Sequence, residues 1–289
     1  MRAWLLAAAA AAGAAAALAP PEPLGPTQPV RLDGWRIIGP GGGGTTRRPA
    51  ISPHDPKVVM LGCDMTGAYL TTDGGASWRM FSLGSVPTAF AFDPKSPATL
   101  YAGAEGVYKS EDAGRSWRLV LPDPAQNTTE RSVGDHGDRI FFTDDPAYPG
   151  SGRTVTIHAI AVDEDDPARV YVAANAADSP IPGTPASPTL LIESKDGGRH
   201  WSRAASFAAE RIFAIHGTSR GPDGAVRAIG ESGVHVGRAG GWEHHAAPGG
   251  GRFSSGSFGR DPRSGLVLAY ATLPLAREAS AVRGGVQVS

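Results

Sequence analysis

Apolar residues along the chain fall in short runs, and each run is bounded by a turn signal. The stretch from Ser52 to Gly75 is typical: it reads SPHDPKVVMLGCDMTGAYLTTDGG, in which aliphatic and aromatic runs alternate with Asp-Pro and Asp-Gly turns. Short runs of this composition predict β-strands. The stretch and the residues just after it therefore predict a strand, an Asp-Pro turn, a second strand, a short turn, a third strand, an Asp-Gly turn and a fourth strand that begins with Trp.

This unit recurs along the chain. Three segments align without gaps: TTDGGASW at Thr71 to Trp78, SEDAGRSW at Ser110 to Trp117, and SKDGGRHW at Ser194 to Trp201. A degenerate fourth segment, GRAGGWEHH, places Trp242 in the same phase. A four-stranded unit that repeats after about 40 residues has the size of a propeller blade. The fold class we predict is all-β: a propeller of four-stranded antiparallel blades.

The interval between the second and third copies is about twice as long as the others. We interpret it as one blade with two insertions, at about Leu121 to Arg153 and Ala176 to Pro188. Counting units then predicts three full blades, a degenerate fourth from Ile212 to Trp242, and part of a fifth from Ser254 to Ser289.

The repeated turn has the pattern Ser/Thr-x-Asp-x-Gly-x-x-Trp, and its residue types explain it. The Asp side chain caps nearby backbone N–H groups, Gly accepts a positive φ, and the Trp buries a large apolar area where units pack. A residue that recurs in every unit is not a unique catalytic group, so we assign structural roles to the set. Its members are Asp73, Gly75, Trp78, Asp112, Gly114, Trp117, Asp196, Gly198 and Trp201.

The last residues of the chain, GGVQVS at Gly284 to Ser289, align with EGVYKS at Glu105 to Ser110. The chain therefore stops at the Ser that would open another repeated turn. Because a propeller removes open sheet edges by closing its ring, we expect this one to be incomplete at its C-terminus and the chain to be an N-terminal fragment. The alternative is a small, irregular propeller that closes with degenerate blades.

The N-terminus has the pattern of a secretory signal peptide. Arg2 precedes an alanine-rich apolar run, Ala3 to Leu18, which small residues and then prolines follow. We predict a signal peptide at 1–19, a Pro-rich linker at 20–33 and the propeller at 34–289. The protein would then be secreted or periplasmic, with no membrane contact after cleavage; an uncleaved anchor is the alternative.

Composition narrows the function classes further. The 289 residues include 39 Gly and 25 Pro, which argue against long helices, and the net charge of −1 offers no basic surface for nucleic acid. A single cysteine, Cys63, excludes intramolecular disulfides.

The repeated segments resemble Asp-box motifs, also called bacterial neuraminidase repeats. These occur in propellers of sialidases, sortilin-type receptors, photosystem assembly factors and xyloglucanase-type glycoside hydrolases. The opening WRIIGPGGGG, from Trp35 to Gly44, and DMTGAY, from Asp64 to Tyr69, resemble the first blade of the xyloglucanase-type enzymes. The resemblance implies an inverting hydrolase of a β-glucan such as xyloglucan, with Asp64 as catalytic base and the acid on a second propeller. Met65 and Thr66 depart from the small residues usual there.

Other functions stay open. A glycan cleft needs aromatic platforms, for which Trp35, Tyr69 and Tyr148 are the candidates. A non-catalytic propeller that binds a protein, peptide or glycan is the main alternative, and a truncated product without activity is another. A sialidase is disfavoured, because DRIF at Asp138 and ERIF at Glu210 lack the proline of its Arg-Ile-Pro motif.

The remaining motifs predict little chemistry, and we expect no cofactor and no metal. The acidic insertion, Ser132 to Gly152, could bind Ca²⁺, but it has no EF-hand spacing and a solvated loop is the simpler interpretation. His244 and His245 lack a third residue with which they could bind a metal ion. The run GPGGGG, at Gly39 to Gly44, lacks the Lys-Ser/Thr of a phosphate-binding loop. The acidic and histidine candidates of the insertion are Asp135, His136, Asp138, Asp144 and Asp145.

Overall fold

The computed structural model is a β-propeller in which antiparallel sheets follow one another along the chain. It describes residues 40, 44–65, 67–133, 138–177, 187–219, 224–261, 263–264, 266–273, 276–278, 281–283 and 286–288. The predicted signal peptide and linker, together with Trp35, Asp135 and His136, lie outside these residues. Within the described part of the chain, no helix is long and apolar enough to cross a membrane.

Four blades have four strands each, hydrogen-bonded in chain order from the inner strand to the outer one. Blade 1 consists of β1 (Thr46–Ile51), β2 (Val59–Cys63), β3 (Gly67–Thr71) and β4 (Arg79–Phe81). Blade 2 consists of β5 (Ala89–Phe92), β6 (Leu100–Gly103), β7 (Val107–Ser110) and β8 (Arg118–Leu121). A hairpin of β9 (Asn127–Val133) and β10 (Asp138–Thr143) follows, preceded by a 3-10 turn at Pro124–Gln126.

Blade 3 consists of β11 (Thr154–Val162), β12 (Val170–Ala177), β13 (Thr189–Ser194) and β14 (Ser202–Phe207). Blade 4 consists of β15 (Ile212–Gly217), β16 (Val226–Gly230), β17 (Gly233–Arg238) and β18 (Gly241–Ala246), and a 3-10 turn at Pro248–Gly250 follows. Blade 5 has β19 (Ser255–Arg260), β20 (Val267–Thr272) and β23 (Val286–Val288), with a hairpin of β21 (Ala276–Glu278) and β22 (Ala281–Arg283) before its last strand.

This architecture confirms the blades predicted from the repeat. The degenerate fourth unit forms a complete sheet, and β23 takes the third place in blade 5, as β7 does in blade 2. The first insertion is more ordered than predicted, because it folds into the β9–β10 hairpin. Most of the second insertion, 178–186, lies outside the described residues.

The antiparallel order sorts the connections onto two faces. One face carries the loops between the second and third strands of each blade and the links from each blade to the next; we call it the upper face. The lower face carries the loops between first and second strands and the repeated turns. The inner strands β1, β5, β11, β15 and β19 line the axis between these faces.

Hydrogen bonds among their own residues close the repeated turns. In blade 2 the Ser110 hydroxyl donates to Asp112 Oδ1 at 2.8 Å and accepts the Gly114 N–H at 2.8 Å. Asp112 Oδ1 accepts the Ser116 N–H at 2.8 Å. Blades 1 and 3 repeat this pattern around Asp73 and Asp196, so each of these carboxylates closes its own turn.

Each Trp of blades 2, 3 and 4 reaches back to the outer strand of the preceding blade. Trp117 stacks on Phe81 with ring centroids 5.0 Å apart. The Trp201 indole N–H donates to the Val120 carbonyl oxygen at 2.7 Å. Trp242 packs edge-on against Phe207 at 5.2 Å. In the structure, these three Trp side chains thus lie where one blade packs against the next.

Candidate functional site

Asp64 lies on the upper face, directly after β2. Its Oδ1 accepts the Thr45 backbone N–H at 2.6 Å, and its Oδ2 lies 3.3 Å from an Arg47 guanidinium nitrogen. The side chain is 29% exposed, so a ligand can reach it. The Thr45 N–H is the largest cause that lowers the pKa of Asp64, and the Arg47 guanidinium also lowers it. The carboxylate is therefore ionised at neutral pH and can accept a proton or a hydrogen bond.

Gly44, the last residue of the glycine run ahead of blade 1, makes room for this carboxylate. Gly44 has φ +89°, and a Cβ at this residue would lie 2.5 Å from Asp64 Oδ1. A larger residue would push the carboxylate away from Thr45. The structure thus gives Gly44 a positioning role, and the other glycines of the run, 41–43, lie outside the described residues.

Glu105 occupies the corresponding loop of blade 2, between β6 and β7, and sequence reasoning assigned it no role. The Ser85 hydroxyl donates to Glu105 Oε2. Burial is the main cause that raises the pKa of Glu105 to about 7, against the opposing effect of the Ser85 hydrogen bond. The upper face therefore has two carboxyl groups with different pKa values: that of Asp64 is lowered, and that of Glu105 is raised to about 7. Such separated pKa values are typical of acid–base pairs in active sites.

The structure describes two of the three predicted aromatic platforms, Tyr69 and Tyr148, and they differ in exposure. Tyr69 lies on β3 and is half-buried. The expectation for Tyr148 was wrong: it is only 3% exposed, its hydroxyl donates to the Glu105 carbonyl oxygen at 2.7 Å, and its ring packs edge-on against Phe141. A sugar ring has no access to either face of this side chain. The packing arises because the β9–β10 hairpin folds onto blade 2, which the sequence pattern did not predict.

No metal centre forms in the described part of the chain, where no three His, Cys, Asp or Glu side chains come together in a way that could hold an ion. Asp145 is buried and accepts the N–H groups of Ala147 and Asp123, both at 2.8 Å. Its role is to hold the base of the hairpin. His244 lies 3.1 Å from the Ser232 hydroxyl and packs against His235.

Comparisons with known proteins agree with this architecture. No family model matches the sequence. An oligoxyloglucan-reducing end-specific xyloglucanase from Emericella nidulans is 31% identical over 91 residues, or 27% of this chain and 11% of that protein. An ancestral GH74 enzyme of known structure superposes with a TM-score of 0.60 at 20% identity, over 88% of this chain and 31% of that one. YCF48 bound to D1 peptide gives a TM-score of 0.42 at 16% identity, over 76% of this chain and 62% of that one.

These likenesses show a β-propeller similar to those of xyloglucanase-type enzymes. The chain spans 11% of the curated relative's length and 31% of the ancestral enzyme's. The activity, substrate and partners of the whole protein are therefore matters of proposal.

Proposed function

We propose that the chain is the Asp-box propeller of a secreted carbohydrate-active protein, a glycoside hydrolase of the xyloglucanase type, in which Asp64 is the catalytic base. The observation that carries the proposal is the state of Asp64. It is held ionised and accessible on the upper face, in the first blade, where the resemblance implies a base. The repeated aspartates, by contrast, each close a turn on the lower face.

In an inverting reaction, one carboxylate takes a proton from water while a carboxylic acid protonates the leaving oxygen. Asp64 suits the first task because its pKa is lowered. The resemblance implies that the acid comes from a second propeller. Glu105 is a further candidate within this chain, because it lies on the same face in the neighbouring blade and burial raises its pKa to about 7.

The second candidate function is a non-catalytic propeller that binds a glycan, a protein or a peptide. One observation favours it: Arg47 pairs with Asp64, and a paired carboxylate is a weaker base than a free one. Asp64 would then accept hydrogen bonds from a ligand without turnover.

The test is an Asp64→Asn variant of the full chain, assayed for release of reducing ends from xyloglucan and, by calorimetry, for binding of xyloglucan oligosaccharides. We expect hydrolysis to fall about 100-fold or more, because a general base contributes that much, while oligosaccharide affinity changes little. Asp55→Asn, in an exposed turn on the lower face, is the matched control and should keep full activity.

Binding without turnover in the parent protein, unchanged by Asp64→Asn, would favour the non-catalytic alternative. Absence of both binding and turnover would overturn the glycan assignment as a whole.

Export is part of the proposal and rests on the N-terminal pattern, with a signal peptide at 1–19 and a linker at 20–33. We expect the mature N-terminus of the protein recovered from the medium or periplasm of a secreting host to lie near residue 20. N-terminal sequencing checks this, and an intact Met1 on membrane-bound protein would indicate an uncleaved anchor instead.

A further inference from the structure

Arg47 and Asp64 lie on the same side of blade 1, at the upper end of its two innermost strands. Arg47 pairs with Gly62 across the β1–β2 ladder, and Asp64 follows Gly62 by two residues. The Asp64 backbone N–H donates to the Thr45 carbonyl oxygen at 3.3 Å, so Thr45 is the residue opposite Asp64. Arg47 therefore stands diagonally across from Asp64, at a separation that a long side chain can span.

Both oxygens of the Asp64 carboxylate are held from this one strand. Thr45 donates its N–H to Oδ1 at 2.6 Å, and an Arg47 guanidinium nitrogen lies 3.3 Å from Oδ2. The residue directly opposite Arg47 is Gly62, which has no side chain that could compete for the guanidinium. The diagonal pair is thus the cross-strand contact that remains for Arg47.

A β-bulge just below Arg47 determines which arginine takes this position. Arg47 pairs with Gly62. Ala50 pairs with Met60, so that two residues of β1 face one residue of β2. If the pairing below the bulge continued upward without the extra residue, Arg48 would face Gly62 and Arg47 would point to the other side of the sheet. The bulge therefore places Arg47, and not Arg48, beside the carboxylate.

The bulge has a conformational cost. Arg48 has φ +55°, in the left-handed region that residues other than glycine seldom adopt. The next residue is Pro49, which donates no ladder hydrogen bond. Bulges are frequent beside active sites, where they change the direction of a side chain, and strained residues persist where the resulting placement has a use. The placement that results here is the contact between Arg47 and the carboxylate.

Few other charges act on this carboxylate. Among the residues that the structure describes, Arg47 is the one charged side chain within ion-pair distance of Asp64. The ionisable groups next to the pair in the chain are the buried Cys63 thiol and the half-buried Arg48 guanidinium. The link to blade 2, residues 82–88, has no ionisable side chain. The contribution of Arg47 to the state of the carboxylate can therefore be measured by changing this residue alone.

We propose that Arg47 is a positioning residue for Asp64, which fixes the direction of the carboxylate and keeps it ionised in mildly acidic solution. This inference rests on the proposed function and adds a control of the same site by pH. A carboxylate has about four lone-pair positions, and Thr45 and Arg47 occupy one on each oxygen. The positions left for a water molecule then keep a constant direction, which favours proton transfer. The nearby cation opposes protonation of the base.

Two substitutions separate charge from orientation. Arg47→Gln keeps a hydrogen-bond donor without the charge, and Arg47→Lys keeps the charge without the planar guanidinium. The measurement is kcat and KM of the full chain on xyloglucan between about pH 4 and about pH 8. Because the pair is exposed, we expect Arg47→Gln to lose about two- to fivefold more of kcat/KM at the acidic end than at the neutral end. Arg47→Lys should keep the pH dependence of the parent but lose about tenfold in kcat, with KM little changed.

An NMR titration tests the same contact without a substrate. Aspartate carboxyl carbons are isotope-labelled in the full chain, and Asp64→Asn identifies the signal of Asp64. We expect this carboxyl to titrate at a higher pH in Arg47→Gln than in the parent or in Arg47→Lys. Arg238→Gln, which removes an exposed ion pair with Glu243 in blade 4, is the matched control and should change neither the titration nor kcat/KM.

Two results would overturn the inference. One is an Asp64 signal that titrates at the same pH in Arg47→Gln and in the parent, whatever the activity. The other is an equal kcat/KM for the parent and both Arg47 variants at every pH. A parent protein that cleaves no xyloglucan would instead refute the proposed function, and the role of Asp64 as a base with it, even where the titration still depends on Arg47.

Discussion

Glu105→Gln should make the protein more stable at about pH 8 and reduce the dependence of its stability on pH. In the folded protein, burial raises the pKa of Glu105 from 4.5 to about 7. The folded state therefore holds a proton that the unfolded chain releases at lower pH. The stabilising effect is complete below the unfolded pKa and is lost as the pH rises through about 7. Glutamine keeps the size of the side chain and the acceptor for Ser85, but it does not ionise.

The magnitude follows from the shift. The difference between the pKa of Glu105 in the folded and unfolded states corresponds to about 3 kcal/mol at most in the free energy of unfolding. Because Glu105 is partly exposed, we expect an effect of about 2 kcal/mol. Urea unfolding from about pH 5 to pH 8 measures it. Glu243→Gln, an exposed glutamate on the outer strand of blade 4, is the control and should follow the parent curve. Parallel curves for Glu105→Gln and the parent would show that Glu105 ionises normally in the folded state.

Trp201→Phe should destabilise the protein by about 1–3 kcal/mol more than Trp117→Phe, although both residues occupy the same position of the repeated turn. Trp201 donates its indole N–H to the carbonyl oxygen of Val120, at the irregularity where the pairing of β7 with β8 shifts. Phenylalanine leaves that carbonyl without this donor. The buried Trp117 N–H has no hydrogen-bond partner among the described residues, so its removal costs no hydrogen bond seen in the structure.

Chemical denaturation of the two variants provides the comparison. The stacking of Trp117 on Phe81 survives in Trp117→Phe, which we expect within about 1 kcal/mol of the parent. If the two variants lose equal amounts of the free energy of unfolding, the buried apolar area of the Trp, and not its hydrogen bond, determines how much this position stabilises the protein.

The blades were predictable from sequence because their signals are local. The Ser/Thr, Asp and Gly of each repeated turn bond within a few residues of one another, so the pattern specifies the geometry without help from the rest of the chain. The four-strand order followed from the spacing of these turns. The hairpin β9–β10 was less predictable, since its strands carry few buried side chains and resemble a polar loop.

The candidate site was predictable only in part. Asp64 was found through a resemblance, and the structure adds the N–H of Thr45 and the space at Gly44 that hold it. The prediction for Tyr148 was wrong, because the burial of this side chain depends on the packing of the β9–β10 hairpin onto blade 2, which the sequence pattern did not indicate.

The backward reach of the repeated Trp has an evolutionary consequence. Blades 2, 3 and 4 each have a Trp that packs against the outer strand of the preceding blade, and blades 1, 2 and 3 each supply the outer strand that the next Trp contacts. Duplication of a gene segment that encodes one such blade therefore supplies both contact surfaces of a new interface between blades, without compensating changes elsewhere. A blade added by recombination would therefore arrive with the residues for its interface to the preceding blade already in place.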